Sequence, residues 1–388
     1  MAKLHYPQTT GAYGLGLLNM KIHCNRAELY RGVQTIQSAL SPRTTLPILL
    51  NFLIETEDSK VKLVSTDLQM GVKHYIAAEI EKPGGITVPA KKFSDIIQSL
   101  PDDQDVDLSV DAAGRVHLTS GKSKFNIAGA PKAEYPAFPE PAGARAFSMP
   151  LPLLDEMVRK TVFAASTDET RHMLNGVFWT ASSGVLCLVA TDGRRLAVIK
   201  KPCLDKGMEF GIIVPNKVLL ELVGIMASLG TEAKGGVRVE VTENQIAFQL
   251  EKTTIVSRLV EGHFPNYEQV IPSRKDVRVE MDARALMAIT KRAALCAVDR
   301  GGSVRYTFKS GGLHVSALSQ GLEFEDEIAA GYKGSDFAIA FNPQFIVDGL
   351  KNMGAEKVVL SFTTPANPAM IEASGDPAYQ YVVMPMRA

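Results

Sequence analysis

The chain contains 388 residues, of which 46% are hydrophobic, and it carries 42 basic and 42 acidic residues. This length predicts two to four domains, and the apolar content is sufficient for each of them to bury a core. A net charge of zero argues against a protein held on nucleic acid by its overall charge, unless basic and acidic residues are sorted in space.

The sequence predicts a cytoplasmic protein without a membrane anchor. No apolar run reaches the ~20 residues of a membrane span, and the N-terminus lacks the basic region, apolar core and cleavage site of a signal peptide. The four cysteines, Cys24, Cys187, Cys203 and Cys296, have no CxxC spacing. They indicate buried thiols in a reducing compartment rather than disulfides or zinc ligands.

Six segments have apolar residues three and four apart, which predicts amphipathic helices. In chain order they cover 25–40, 91–100, 152–165, 216–228, 283–296 and 343–353. Asn25, Asn216 and Asp282 are predicted N-caps, because their side chains can accept hydrogen bonds from the free amides of a first turn. Pro343, after Asn342, suits a first helical position.

Short alternating or apolar segments between these helices predict strands, separated by turns rich in Gly, Asp and Asn. Examples are 61–65, 106–110, 116–119, 237–241 and 357–362. Strands outnumber helices and do not alternate with them one to one. The sequence therefore predicts an α+β fold with antiparallel sheets.

One pattern recurs at an interval the size of a domain. The segment that ends at Pro89 is echoed at Pro215, 126 residues later, and a weaker copy ends at Pro343, a further 128 residues on. This period exceeds the ~20–50 residues of solenoid repeats and matches whole domains. Other landmarks keep a similar step, namely Thr66-Asp67 with Thr191-Asp192 and Tyr135-Pro136 with Phe264-Pro265.

These landmarks predict three domains of one kind, over 20–144, 145–273 and 274–388, preceded by a flexible extension over 1–19. Each predicted domain would contain two of the six helices. The helical windows contain eleven lysines and arginines against six acidic residues, so the rest of the chain is net negative. If the helices share one face of an assembly, that face is basic. The alternative is that Lys and Arg are good helix formers on solvated faces.

No residue pattern typical of a catalytic, nucleotide or metal site stands out. Gly121-Lys122-Ser123 resembles the end of a phosphate loop, but Val116 stands where the loop needs a glycine, so a polar hairpin is expected. Asp67 and Asp192 recur in equivalent turns, which predicts that they cap their own backbone. The acidic run 323–327 would point its carboxylates to different faces of a strand, which favours a partner surface over a cation site. We expect a non-enzyme with no cofactor and no metal.

Several stretches, taken together and in order, resemble the bacterial sliding clamp family, the beta subunit of the replicative DNA polymerase III. The most specific are Thr45-Leu-Pro-Ile-Leu49, Thr87-Val-Pro-Ala-Lys-Lys-Phe93, Leu174-Asn-Gly176, Ala190-Thr-Asp-Gly-Arg-Arg-Leu-Ala197, Phe264-Pro-Asn-Tyr267 and Tyr381-Val-Val-Met-Pro-Met-Arg387. The resemblance runs from about Met20 to the last residue. It implies three DNA-clamp domains per chain, with two chains joined head to tail into a closed ring whose hole is lined by helices.

The resemblance also implies the partners. The homodimeric ring would encircle double-stranded DNA without reading its sequence, and would tether the DNA polymerase III alpha subunit and other clamp-motif replication and repair proteins after a clamp loader has opened it. Such a processivity factor in DNA replication has no membrane partner. The positions that match DNA-facing residues are Arg43, Lys91, Arg171, His172 and Lys217.

Two further sets of positions match functional surfaces of the family. A groove that takes short partner peptides is matched by Leu174, Thr191, Gly193, Arg194, Arg195, Leu196, Pro265, Val270, Asn342, Phe345, Val382, Met384, Pro385, Met386 and Arg387. The two sides of the dimer interface are matched by Lys122, Lys124 and Phe125 in the first domain and by Leu295, Cys296, Glu323, Asp326 and Glu327 in the third. Basic residues against acidic residues, with an apolar centre, suit a heterologous contact that closes into a ring.

Two other classes of function stay open at this point. A peptide-binding scaffold that never encircles DNA would keep the groove but need no basic lining. A hydrolase or transferase with a dispersed site would need a pocket where acid, base and nucleophile converge.

Overall fold

The structure, a computed structural model, describes residues 19–40, 44–141, 145–229, 235–297 and 302–386. The predicted extension over 1–19 lies outside these residues except for its last position. The described chain divides into two compact units. The first contains residues up to 146 together with 237–258, and the second contains 147–236 together with 259–386.

Six α-helices occur in the described residues, at the places the sequence predicts. They are α1 (Arg26–Gln37), α2 (Ala90–Ser99), α3 (Leu151–Val162), α4 (Asn216–Ser228), α5 (Ala283–Ala294) and α6 (Pro343–Met353). The strands of the first domain-sized stretch are β1 (Lys21–Asn25), β2 (Asn51–Glu57), β3 (Lys60–Thr66), β4 (Met70–Ala77), β5 (Glu79–Lys82), β6 (Gly85–Pro89), β7 (Asp105–Val110), β8 (Arg115–Ser120), β9 (Ser123–Ala128) and β10 (Ala130–Pro131).

The remaining strands belong to the second and third domain-sized stretches of the chain. They are β11 (Arg145–Pro150), β12 (Gly176–Ser182), β13 (Val185–Thr191), β14 (Arg195–Pro202), β15 (Phe210–Pro215), β16 (Gly236–Val241), β17 (Gln245–Leu250), β18 (Thr253–Arg258), β19 (Val277–Asp282), β20 (Val304–Lys309), β21 (Gly312–Ser319), β22 (Leu322–Ala329), β23 (Phe337–Phe341), β24 (Lys357–Phe362), β25 (Ala369–Ala373) and β26 (Asp376–Val383). The predicted α+β class with antiparallel sheets is confirmed.

Two sheets lie in the first unit. One has the strand order β5-β1-β7-β8-β9, and eight neighbouring strands of the other run β10-β6-β2-β3-β4-β18-β17-β16. The second unit contains an eight-stranded sheet, β15-β12-β13-β14-β26-β25-β24-β19, and a four-stranded sheet, β22-β21-β20-β23. Because β4 pairs with β18, strands β16–β18 join the first unit although the repeat assigns them to the middle domain. The domain limits taken from the repeat stay a prediction.

Each helix buries an apolar stripe, and α2 shows the pattern clearly. In α2, Ala90, Phe93 and Ile97 are buried, while Lys91 and Lys92 are exposed. This i, i+3, i+4, i+7 spacing is the period of a helix that packs one face on a sheet. Most basic residues of the helical windows lie on exposed faces, but Arg26 of α1 is 6% exposed and donates hydrogen bonds to the carbonyls of Ile97 and Gln98.

The predicted helix starts are correct at three of four positions. Asn25, Asp282 and Asn342 accept hydrogen bonds from amides of their first turns, and Pro343 is the first residue of α6. The prediction for Asn216 is wrong: Pro215 is the N-cap, and the side-chain Nδ2 of Asn216 instead donates to the carbonyl of Ser166, 3.3 Å away. That distant carbonyl offers the amide a partner that local sequence does not reveal.

Candidate functional site

The turn between β13 and β14 forms one wall of a groove in the second unit. Asp192 Oδ1 accepts hydrogen bonds from the amides of Arg194 (2.9 Å) and Arg195 (3.0 Å), as the sequence predicts for a backbone cap. Thr191 Oγ1 donates to the carbonyl of Arg195, 2.6 Å away, and closes the turn. Gly193 has a φ of 85°, which glycine adopts without steric cost.

Arg195 is held by three acceptors and stacks on an aromatic ring. Its Nε lies 3.0 Å from Asp192 Oδ2, its Nη1 lies 2.7 Å from Asp348 Oδ2, and its Nη2 donates to the carbonyl of Phe163 at 2.8 Å. The guanidinium carbon is 4.7 Å from the centre of the Phe345 ring. The side chain is only 12% exposed. These three hydrogen bonds hold the Arg195 side chain in place, so it forms a fixed part of the groove wall.

An apolar cavity of about 170 Å³ opens beside this turn. Its lining consists of Leu174, Thr191, Gly193, Arg195, Leu196, Pro265, Asn266, Tyr267, Val270, Val382 and Met384. All but two of these residues belong to the predicted groove. Asn266 and Tyr267 were missed, although both lie in the Phe264–Tyr267 stretch that carries the family resemblance. Their position next to Pro265 was the signal that could have found them.

The floor of the cavity belongs to a packed core. Leu196 and Val382 are 2% and 1% exposed and share a cluster with Cys187, Val189, Val198 and Met370. The rings of Phe178 and Phe264, packed against this cluster, stack with centres 5.0 Å apart. At the rim, Val270 and Met384 are 42% and 38% exposed. A buried apolar floor with partly exposed apolar walls suits an apolar ligand group.

The last described residues line two neighbouring cavities: Met384 lines this one, and Pro385 and Met386 line a second. The Met384 amide donates to the carbonyl of Arg194, and the Met386 amide donates to the carbonyl of Ala340, both at 2.8 Å. Pro385 and Met386 line a neighbouring cavity of about 400 Å³ together with Arg305, Ala338, Ile339, Ala340, Pro365 and Ala366. The predicted groove residues therefore divide between two adjacent cavities.

Three predicted groove residues in the described part of the chain line neither of these two cavities. Arg194 contributes its backbone carbonyl, and Phe345 stacks under Arg195. Asn342 caps α6 by accepting from the Gln344 amide at 2.9 Å. Arg387 lies outside the described residues.

The predicted DNA-facing residues occupy two kinds of position. Lys91 and Lys217 are exposed in the first turns of α2 and α4, which start at equivalent points of the repeat. Arg171 and His172 are exposed in the turn before β12, and Arg171 Nη1 donates to the carbonyl of Asp192 at 3.1 Å. Arg171 therefore braces the groove turn, a contact the sequence did not predict. Arg43 lies outside the described residues.

Most of the predicted interface residues lie on or beside two edge strands, β9 and β22. Lys122 and Lys124 are exposed in and beside β9, and Phe125 is half-buried there. Glu323 and Glu327 are exposed on β22. These residues give β9 a basic border and β22 an acidic one.

Asp326 also lies on β22, and the two other predicted interface residues, Leu295 and Cys296, directly follow α5. Asp326 is paired with Arg292 of α5, whose hydrogen bond lowers the pKa of this carboxyl, helped by the Glu327 amide. Leu295, at the end of α5, is 67% exposed, whereas Cys296 is 3% exposed and belongs to the core.

Within the described residues, no three His, Cys, Asp or Glu side chains lie close enough to hold a metal ion. None of the helices described is long and apolar enough to span a bilayer. All four cysteines are free thiols, and burial raises the pKa of Cys24 to about 12.

Comparison with known proteins covers nearly the whole chain. Models of the N-terminal, central and C-terminal domains of the DNA polymerase III beta subunit match residues 20–139, 149–266 and 268–387. The beta sliding clamps of Synechocystis and of Pseudomonas putida are each 32% identical over 95% of this chain, and the matches cover 99% and 100% of those proteins.

Solved structures agree with the sequence relatives. A sliding clamp from Pseudomonas aeruginosa bound to griselimycin has a TM-score of 0.90 and 30% identity over 95% of this chain and 100% of its own. The beta sliding clamp of C. crescentus has a TM-score of 0.91 and 30% identity, covering 97% of this chain and 100% of its own. With three clamp domains in order, the chain belongs to the DNA polymerase III beta subunit family, the sliding clamps, which are processivity factors and not catalytic subunits.

Proposed function

We propose that two copies of this chain close head to tail into a ring around double-stranded DNA and tether the polymerase III alpha subunit to it. The observation that carries this proposal is the pairing of strand triplets. Six three-stranded meanders occur in the described chain, ending in β4, β9, β14, β18, β22 and β26. Four of these last strands pair with each other, β4 with β18 and β14 with β26.

The two remaining last strands have a free edge. β9 is the last strand at one end of its sheet, and β22 is the last strand at one end of another sheet in the described chain. β9 lies in the first domain of the chain and β22 in the third. An exposed strand edge presents unpaired amides and carbonyls to a partner strand. Two chains that join β9 to β22 twice would pair all the last strands of the described meanders, and the head-to-tail contacts could close into a symmetric ring.

Charge supports the same joint. Lys122 and Lys124 border β9, and neither has a carboxylate within ion-pair distance in the described part of the chain. The edge strand β22 carries Glu323, Glu325 and Glu327 on its exposed face. Opposite charges across strands stabilise a pair, and like charges would disfavour joining two identical edges.

The helices supply a modestly basic inner surface for the ring. Part of their charge is neutralised locally, because Arg159 and Lys160 of α3 pair with Asp155 and Glu156. Lysines such as Lys91 are left for phosphates. Phosphate contacts carry no sequence information, so a ring held topologically could slide along the duplex. Such a role on chromosomal DNA implies the cytoplasm, which the free thiols also favour.

The groove beside Leu196 is proposed to take the short clamp-binding motifs of the polymerase, the clamp loader and repair proteins. Its apolar floor and its Met384 and Val270 rim suit aliphatic and aromatic side chains. Val270→Asp should weaken binding of a polymerase-derived motif peptide at least tenfold. Leu68→Asp, at a residue 45% exposed in the first unit, is the matched control and should bind normally.

The ring is tested by retention on DNA. The full chain is loaded by its clamp loader with ATP onto a nicked circular plasmid and isolated by gel filtration. We expect co-elution with the circle and release when the circle is cut once. Protein that stays on the linear DNA would show binding without encirclement. A chain that binds the motif peptide but never stays on the circle would favour the alternative of a peptide-binding scaffold.

A further inference from the structure

We propose that β9 of one chain pairs antiparallel with β22 of a second copy in one register, with Phe125 opposite Phe324 and Lys124 opposite Glu325. This inference rests on the proposed ring and adds the alignment of its joint. It follows from the two joints of the same kind that the chain already contains, β4 with β18 and β14 with β26.

The two internal joints share one register. In the first, His74 lies opposite Thr253, and in the second, Ile199 lies opposite Tyr379. His74 and Ile199 are equivalent, because each pairs with the fourth residue of the preceding strand, Leu63 in β3 and Leu188 in β13. Thr253 and Tyr379 stand one repeat apart.

The same positions can be found on the free edges. In β22, the residue that pairs with the fourth residue of β21, Val315, is Asp326. In β9, Phe125 is aligned through β8 with the fourth residue of β7, as Ile255 is aligned through β17 with the fourth residue of β16 and Tyr381 through β25 with the fourth residue of β24. Ser123 stands two residues before Phe125, as Thr253 stands two before Ile255. Asp326 is therefore the counterpart of His74, and Ser123 the counterpart of Thr253. Placing them opposite each other sets the whole register.

The resulting pairs are chemically matched on both faces. Lys124 meets Glu325, and Lys122 meets Glu327 on the solvent face. On the inner face, Phe125 meets Phe324. Asp326 needs no cation from the partner because Arg292 already pairs with it. The acid that meets Lys124 is therefore Glu325, not one of the acidic residues matched through the family.

Alternation of faces excludes slips by one residue. Phe125 and Ile127 are the more buried residues of β9, and Phe324 and Asp326 are the more buried ones of β22 around its middle. A one-residue slip would place these inward residues opposite outward ones. A slip by two residues keeps the faces but places Lys124 opposite Glu323 and separates the two phenylalanines.

The internal joint also indicates which pairs come closest. The Tyr75 amide donates to the carbonyl of Lys252 at 2.9 Å, so this pair is hydrogen-bonded and the pairs two residues apart along the ladder are too. Val72 and Ile255, the counterparts of Phe324 and Phe125, then form a non-hydrogen-bonded pair. Side chains are closest in such pairs, so the two phenylalanines would form the apolar centre of the joint.

Charge reversal in the full chain tests the register, with sedimentation equilibrium as the measurement. Lys124→Glu should raise the dimer dissociation constant at least tenfold, because it faces Glu325. Adding Glu325→Lys should return the constant to within about threefold of the parent value. Adding Glu323→Lys instead, the matched control, should not. Rescue by Glu323→Lys and not by Glu325→Lys would overturn the register while leaving the ring intact.

Disulfide trapping supplies a second measurement. With Phe125→Cys and Phe324→Cys in one chain, mild oxidation should give a covalent dimer on a denaturing gel, whereas Phe125→Cys with Leu322→Cys should not. The reverse outcome would contradict the register. If the parent chain stays monomeric at micromolar concentration, the proposed ring itself is contradicted. Failure of the register and failure of the ring therefore give different results.

Discussion

The first and middle domains contain the same turn and use it differently. Thr66 and Asp67 make the hydrogen bonds that Thr191 and Asp192 make: Asp67 Oδ1 accepts from the amides of Gln69 and Met70 at 2.9 and 2.7 Å. Even the left-handed residue is shared, because Leu68 has a φ of 72° where Gly193 has 85°. The backbone of the two turns is equivalent, so the difference in function comes from side chains.

In the first domain, the space beside the turn is filled. A Cβ added to Gly71 would lie 3.1 Å from the ring of Phe138. Phe138 packs against a small core cluster with Tyr135, and Lys73 lies over its ring with Nζ 5.0 Å from the centre. In the middle domain, Leu196 stands one period after Gly71, and the space beside it is the cavity. Equivalent turns thus carry a closed surface in one domain and a groove in the other.

The largest expected effect is at the residue where the two turns differ most. Arg195→Met copies Met70 of the first domain and removes the cation that Asp192 and Asp348 share. Because two partly buried carboxylates lose their partner, we expect a loss of roughly 3 kcal/mol in the free energy of unfolding, measured with urea. Arg194→Met, at an exposed neighbour, should change stability by less than about 0.5 kcal/mol.

The second prediction contrasts the two internal joints under acid. His74 donates or accepts a 2.8 Å hydrogen bond with Thr253, whereas its counterpart in the other joint is Ile199. Burial, followed by the charge of Lys252, lowers the pKa of His74 to about 4, with Arg31 acting in the same direction and Glu28 against it.

Since the folded-state pKa lies below the unfolded value of 6.5, the unfolded chain binds more protons between the two. Stability contributed by neutral His74 is therefore complete above pH 6.5 and is lost as the pH falls towards 4. We expect β4 and β18 amides to lose roughly 2–3 kcal/mol of protection from hydrogen exchange by pH 4. His74→Gln should abolish most of this dependence. Equal losses in β14 and β26 would contradict the assignment to His74.

The third prediction compares the two turn caps. Asp67→Ala should cost about 1 kcal/mol of unfolding free energy, because two amides lose their acceptor. Asp192→Ala should cost about 2 kcal/mol, since it also removes the carboxylate that fixes Arg195 Nε. Thermal unfolding of both variants checks the difference. A loss of only about 1 kcal/mol in Asp192→Ala would show that the Arg195 contact adds nothing to the turn.

The smallest effects are expected at the left-handed positions. Gly193→Ala should destabilise the protein by about 1 kcal/mol, because a side chain strains this conformation. Leu68→Gly should relieve the same strain in the first domain and gain up to about 1 kcal/mol, less the burial lost by a side chain that is 45% exposed. The two variants should therefore shift the unfolding midpoint in opposite directions.

Local chemistry was sufficient to predict the elements. The apolar period of 343–353, Asn342 before Pro343 and the Thr-Asp turns all act between residues close in the chain, so the sequence by itself determined the helices, the hairpins and their threefold recurrence. The recurrence, with the stretches that resemble the family, was also enough to indicate a clamp. Most of the groove lining followed residue by residue from that resemblance.

Contacts between distant residues were decided only by the tertiary structure. The sequence does not show that Asp348 and the Phe163 carbonyl hold Arg195, or that the Ser166 carbonyl accepts a hydrogen bond from the Asn216 side chain. It also does not show that Phe138 fills the space beside the Thr66-Asp67 turn of the first domain. Nor does it show that β18 joins β4, which moves three strands into the first unit. These outcomes depend on which surfaces meet when the chain folds, and an apolar or charged residue can satisfy its local pattern with many different partners.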